Sequence, residues 1–280
     1  MVISSFREPL SGWIDNVSGP TGALVGGGVG LIRTLNIDRD CTAEMIPADL
    51  TINALISTAW DIANNKNADD EPPIYNYHSS WTNRLTWGKY VELAFKHGKK
   101  LPSMQSLWCY SMTETKYIYF HYFLILVLHM LPAIIIDTAL LVTGKKAKLL
   151  KMYKKIHKYM RVTAYFSTKN WNFRNNNVLK LWDKLSEEDK EIFFFSMKDF
   201  DWDTYMNICV HGIRRFIFKD TLDTIPKAKK RMSRLVILHK SIKYAVFALF
   251  LWGLYLIFYY ALSMSSNSSY SLFSESITVR

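Results

Sequence analysis

The chain has 280 residues, enough for one large domain or two small ones, with 15% aromatic residues and a net charge of +11. The charge is divided: residues 1–116 carry ten basic and twelve acidic side chains, and residues 117–280 carry twenty-five and twelve. The basic excess shares its half with the long apolar runs, which favours anionic lipid over nucleic acid as partner; three scattered cysteines without a CxxC argue against a disulfide framework or a zinc site.

Met1 to Phe6 reads as a strand already under way, and no secretory signal is expected in the first thirty residues. Glu8 to Gly30 reads as loop-rich. Its glycine run, Gly26-Gly27-Gly28-Val29-Gly30, lacks the third glycine of a dinucleotide fingerprint, so a flexible loop beside a pocket is expected instead of a nucleotide cradle. Ile46-Pro47-Ala48-Asp49-Leu50 reads as a strand end turning into a helix capped by Asp49 and running to about Ala63. Asn64 to Pro73 is polar and acidic, a surface loop, and Ile74 to Tyr77 reads as a short strand. Thr86 caps a helix from Trp87 to His97, which Gly98 stops. This alternation suggests an α/β layer too short to be a complete parallel sheet.

Tyr117 to Val142 is the first long apolar run, interrupted by His121, His129, Pro132 and Asp137. A helical hairpin dipping into one leaflet and kinked at Pro132 fits the charge on either side; a simple span and a core helix pair are the alternatives. His121 and His129 lie about two turns apart and read as packed or interfacial residues, since no acid or cysteine completes a metal shell. Lys145 to Arg161 has eight basic residues, no acid and an apolar stripe at helical spacing, a basic amphipathic helix suited to an anionic membrane. Ser186 to Asp189 resembles a capping box, and Trp202, Tyr205, Met206, Cys209, Ile213, Phe216 and Ile217 form a packing stripe. Ala245 to Leu262 is eighteen residues without charge or proline, preceded by lysines and arginines and followed by serines. It reads as a transmembrane helix with a cytosolic N-terminal body.

Several stretches taken in order resemble fatty acyl-CoA reductases of the alcohol-forming, animal type. They are Glu8-Pro9-Leu10-Ser11-Gly12-Trp13-Ile14-Asp15-Asn16, Gly19-Pro20-Thr21-Gly22, Ile46-Pro47-Ala48-Asp49 with Asn53, and Leu85-Thr86-Trp87-Gly88. Trp171-Asn172-Phe173-Arg174-Asn175-Asn176-Asn177, Asp201-Trp202-Asp203-Thr204-Tyr205 and Gly212-Ile213-Arg214-Arg215 resemble that family's C-terminal helical domain. The resemblance departs at Arg84, where the family tends to have proline, and at Ser196, where it tends to have aspartate.

The resemblance implies the C-terminal part of an extended short-chain dehydrogenase, Rossmann-type fold over residues 1–110. An apolar membrane-associated segment (111–143), an all-α C-terminal domain (144–244), the transmembrane helix (245–262) and a serine-rich tail (263–280) follow. It further implies reduction of a long-chain acyl-CoA by NADPH to a fatty alcohol and CoA, at the endoplasmic reticulum or peroxisome. The family's tyrosine–lysine pair and glycine-rich NADPH loop belong upstream of the opening strand. The one YxxxK spelling, Tyr165 to Lys169, lies outside any strand-borne pocket and is read as chance. No catalytic, cofactor-binding or metal residue is therefore assigned, and the isolated chain is expected to be inactive. Phe6, Trp13 and Asp15 are candidates for lining the acyl-CoA site. The other reading is a non-catalytic tail-anchored protein that binds acyl chains or a partner reductase.

Overall fold

A computed structural model describes residues 1–64 and 73–278, with side chains as far as Tyr260. The expected loop from Asn64 to Pro73 falls almost wholly outside the described residues, and so do the side chains of the serine-rich tail. The chain divides into two compact units, Met1–Arg231 and Met232–Arg280.

The first unit is mostly helical. Strand β1 (Val2–Ile3) and helix α1 (Gly19–Gly28) precede β2 (Thr34–Asn36), β3 (Ile46–Pro47), α2 (Ala48–Asn64) and α3 (Trp87–Gly98). After β4 (Thr113–Thr115) come α4 (Ile118–Ile125), a π turn (Leu126–Met130), α5 (Leu131–Val142) and α6 (Leu149–Ser167). The set continues with α7 (Asn176–Lys184), α8 (Glu187–Ile192), α9 (Trp202–Gly212) with a π turn to Ile217, and α10 (Ile225–Thr278), which extends into the second unit.

The strands pair in parallel as two separate two-stranded sheets, β1 with β3 and β2 with β4. Parallel pairing needs a crossover, and the β1–β3 connection contains α1. Pro47, opposite Ile3, has no N–H to offer and closes its pair early. A continuous Rossmann-type sheet is not formed among the described residues.

The core gathers Ile3, Ile46, Leu50, Leu85 and Tyr90 with Leu181 of α7 and Tyr205 and Met206 of α9. Motif residues that carry the resemblance make some of its ties and caps. The Tyr205 hydroxyl donates to the Ser4 carbonyl at 2.7 Å, joining α9 to β1. Asn53 donates to the Phe194 carbonyl at 3.0 Å, and Asp201 caps α9 by accepting from the N–H groups of Asp203 and Thr204.

Several sequence expectations are corrected here. The glycine run is mostly helix: a Cβ at Gly26 would sit 2.5 Å from Ile32 Cδ1, and one at Gly27 2.4 Å from Met112 Cε. These glycines admit neighbouring side chains, which glycine's lack of a Cβ allows. Ile74 to Tyr77 forms no strand. Asp49 lies in the first turn of α2 and accepts from the chain before it, as described below. Residues Ile118 to Val142 form one continuous helical rod with no reversal at Pro132. The π turn just ahead absorbs the missing proline N–H, with Leu131 N–H bonded to the Leu126 carbonyl. The reversal comes later, at Gly144 (φ +70°), and α6 is the returning arm.

Two stretches are long and apolar enough to cross a membrane by length and composition: the rod and the stretch Leu222–Tyr260. None of the latter's most apolar window is buried.

Candidate functional site

The loop holding Phe6, Trp13 and Asp15 is built around one carboxylate. Asp49 accepts from the N–H groups of Phe6, Arg7 and Glu8 at 2.8, 2.7 and 3.1 Å. Three donors converging on a charged acceptor fix this turn at the mouth of β1. The other end is held by contact. Gly12 has φ +75°, and a Cβ at Gly212 would fall 1.8 Å from the Gly12 carbonyl oxygen, so the loop lies directly on α9.

The structure does not bring the three candidate residues together. Phe6 packs edge-on against Phe200 at 5.0 Å, under the Arg7 guanidinium. Trp13 is 40% exposed. Asp15 is exposed and accepts from the Asn16 amide.

An apolar cleft lies nearby, with an interior of about 90 Å³ between α1, β2, α3 and α6. Pro20 and Ala23, Leu35 and Ile37, Trp87 and Val91, and Met160 and Phe166 form its walls. Its polar groups are already satisfied. Tyr90 donates to the Pro20 carbonyl at 3.1 Å, Ser167 donates to the Asn36 carbonyl at 2.9 Å, and Gly19 N–H donates to the Tyr159 hydroxyl at 2.6 Å. Burial raises the Tyr90 phenol well above its usual range, so it is a neutral donor.

A second groove, of about 260 Å³, shares Asn36 and Met160 with the cleft and opens between α4, the π turn and α6. His121, His157, Lys154, Lys158 and Arg161 line it beside Ile118, Tyr122 and Ile125. Behind its lining residues His121 and His157 lie two sets of hydrogen bonds to the body. Arg33 N–H donates to His129 Nε2 at 2.9 Å, which leaves the His129 proton on Nδ1, facing His157 Nε2 at 3.1 Å. Tyr153 stacks on His129 at 4.8 Å, and His121 Nδ1 meets the Thr34 hydroxyl at 3.1 Å. Both histidines of the rod thus face the body. Eight residues of ideal helix would leave them about 80° apart, and the wider π turn between them takes up that rotation. Burial also lowers the His157 pKa. No group of three or more His, Cys, Asp or Glu is arranged to hold a metal ion among the described residues.

Sequence reasoning missed Tyr90, Asn36 and Met160 as lining residues. Met160 was visible only as part of the α6 stripe, which turns one side toward the body and buries Tyr153. At the YxxxK spelling, the Lys169 ammonium lies 4.4 Å from the centre of the half-exposed Tyr165 ring, a surface cation–π contact.

Residues 128–220 match the family model described as Sterile, male sterility protein. The chain is 40% identical to fatty acyl-CoA reductase wat of Drosophila melanogaster over 91% of its own length and 49% of the relative's. It is 28% identical to fatty acyl-CoA reductase 1 of Xenopus laevis over 94% of its length and 52% of that protein. It is 30% identical to mouse fatty acyl-CoA reductase 2 over 91% and 49%. The chain therefore spans about half the length of the curated relatives it matches, and the resemblance read from the sequence is borne out.

Proposed function

We propose, from this kinship with fatty acyl-CoA reductases, that the chain is the substrate-side and membrane-side portion of an alcohol-forming reductase acting on long-chain acyl-CoA. The similarity along nine-tenths of the chain carries the reading. The apolar cleft between α1 and α6 supports it as a seat for the last few methylenes of the tail, its interior of about 90 Å³ being walled by apolar side chains and satisfied polar groups. The loop of Phe6, Trp13 and Asp15, tied to β1 and α9, is proposed to flank the reacting end of the substrate. Ala245 to Leu262 is proposed as a single-pass anchor with a cytosolic body, at the endoplasmic reticulum or peroxisome. A bilayer-bound protein meets long acyl chains where they partition.

NADPH is the proposed hydride source of the whole reductase. The glycine run of this chain does not fit its pyrophosphate. The run is helical, and its glycines accommodate Ile32 and Met112 instead of presenting a turn of free N–H groups. The NADPH loop and the tyrosine–lysine pair are proposed to belong to the half of the reductase that this chain does not match.

The test is binding and turnover by the purified chain in detergent micelles. Long-chain acyl-CoA is expected to bind, NADPH is not, and no acyl-CoA-dependent NADPH oxidation is expected. A folded chain that does not bind acyl-CoA would refute the substrate-side assignment, and turnover would refute the division of labour. An in-frame stop immediately 5′ of the Met1 codon would favour the non-catalytic acyl-binding reading.

A further inference from the structure

The rod from Ile118 to Val142 distributes its polarity in one direction. His121 bonds to Thr34, His129 to Arg33 and His157, and the Asp137 carboxylate accepts from Leu149 and Leu150 N–H at 3.1 and 2.8 Å. The opposite side is bare hydrocarbon and aromatic surface: Tyr119, Ile135 and Val142 are 85%, 68% and 82% exposed. Only 17% of the rod's most apolar window is buried.

What lies beside the rod decides how a bilayer can meet it. Helix α6 returns along it for nineteen residues, held by Asp137 at one end and by the stacked rings of His129, Tyr153 and His157 further along. Lys151, Lys154, Lys155, Lys158 and Arg161 are all exposed on α6, and none forms an ion pair among the described residues. A rod that crossed the bilayer would carry these five cations into the hydrocarbon alongside it. Charged side chains there are costly and are tolerated only when paired or facing water. A rod lying flat has no such conflict, since its bare side enters the acyl region and the cations remain at headgroup level.

We propose that the rod and α6 lie together in the plane of one leaflet. In this arrangement the groove between them seats the phosphate of an anionic phospholipid. Lys154, Lys158 and Arg161 follow i, i+4, i+7 spacing along one side of α6, and no carboxylate lines the groove. Ile118, Tyr122 and Ile125 form an apolar wall down which the lipid's tail continues onto the exposed side of the rod. The proposal rests on the membrane association proposed above and adds its geometry and its ligand.

The experiment uses the full chain in vesicles of phosphatidylcholine, with and without phosphatidylserine. All three native cysteines are buried, so single cysteines introduced at Tyr119, Ile135 and Val142 can carry a spin label. Accessibility to oxygen and to a water-soluble nickel chelate then gives depth. The expected result is three labels at one shallow depth on one side of the bilayer. Labels at Tyr119 and Val142 on opposite sides, with Ile135 deepest, would overturn the flat arrangement while leaving membrane association intact. Labels shielded from both reagents would show a second copy or another protein on this face and would overturn it too. A chain that does not remain with vesicles at all would instead remove the membrane reading itself. For the groove, K154E/K158E is expected to lower phosphatidylserine retained in native mass spectra at least tenfold, whereas K180E/K198E leaves it unchanged. Equal losses from both pairs would show general charge attraction and overturn the seat.

Discussion

At the scale of single residues, the chain repeatedly uses a buried polar group to fix backbone that no sheet or helix holds. Asp49 is the clearest case. Its sequence context reads as a helix cap, because Asp beside a helix start is usually one. The structure turns the carboxylate backwards onto Phe6, Arg7 and Glu8 instead. Sequence spacing shows that an acceptor is present but not which donors lie forty residues away. Asp49→Ala leaves three N–H groups without their acceptor and is expected to destabilise the fold by about 3 kcal/mol. Asp49→Asn retains one acceptor oxygen and should cost less. Chemical denaturation gives the magnitude, and hydrogen exchange at Phe6, Arg7 and Glu8 should rise first; unchanged exchange there would show that the loop is held by other contacts.

Among the elements, those with a local chemical signature were legible. Thr86 accepts from Lys89 N–H at the start of α3, and Ser186 accepts from Asp189 N–H at the start of α8, both as their spacing suggests. The apolar stripe of α9 packs as read, with Tyr205 and Met206 fully enclosed. The glycine run misled because glycine has a low intrinsic helix propensity, which close packing against Ile32 and Met112 overrides. The join between α3 and α9 could not be read, because its partners are a hundred residues apart. There the Asp203 carboxylate accepts from Lys96 at 2.7 Å and meets His97 at 2.9 Å. Hydrogen bonds from Lys96 and then His97 pull Asp203 from the usual 3.8 to about 2. A carboxylate whose folded pKa lies below its unfolded one contributes fully above about pH 4, and that contribution is lost as the pH falls toward 2. Asp203→Asn should therefore lower Tm at neutral pH and narrow its difference from the parent chain between pH 4 and 2. A constant difference across that window would show that the lysine and histidine contacts do not hold the charge.

For the whole molecule, the legible part was the division of charge between a slightly acidic front and a basic, apolar rear. The hidden part was where the two meet. The apolar cleft takes its walls from α1, β2 and α3 on one side and α6 on the other, so no contiguous stretch contains it. Asn36 and Met160 line both the cleft and the cationic groove, which puts the two openings back to back across β2 and α6. The cleft therefore opens toward the acyl tail proposed for it while the cations of the groove stay with the lipid phosphate, so the two ligands meet opposite faces of the same wall. Ala23 offers the direct test, being a small, half-buried wall of the cleft. Ala23→Phe fills the slot and is expected to weaken long-chain acyl-CoA binding at least tenfold, at a stability cost of about 1–3 kcal/mol. Titration with acyl-CoA of increasing chain length, followed by calorimetry, checks this. The loss should grow with chain length, because a short acyl group does not reach the filled slot. A loss independent of chain length would place the substitution's effect on the CoA moiety and move the acyl chain to another surface.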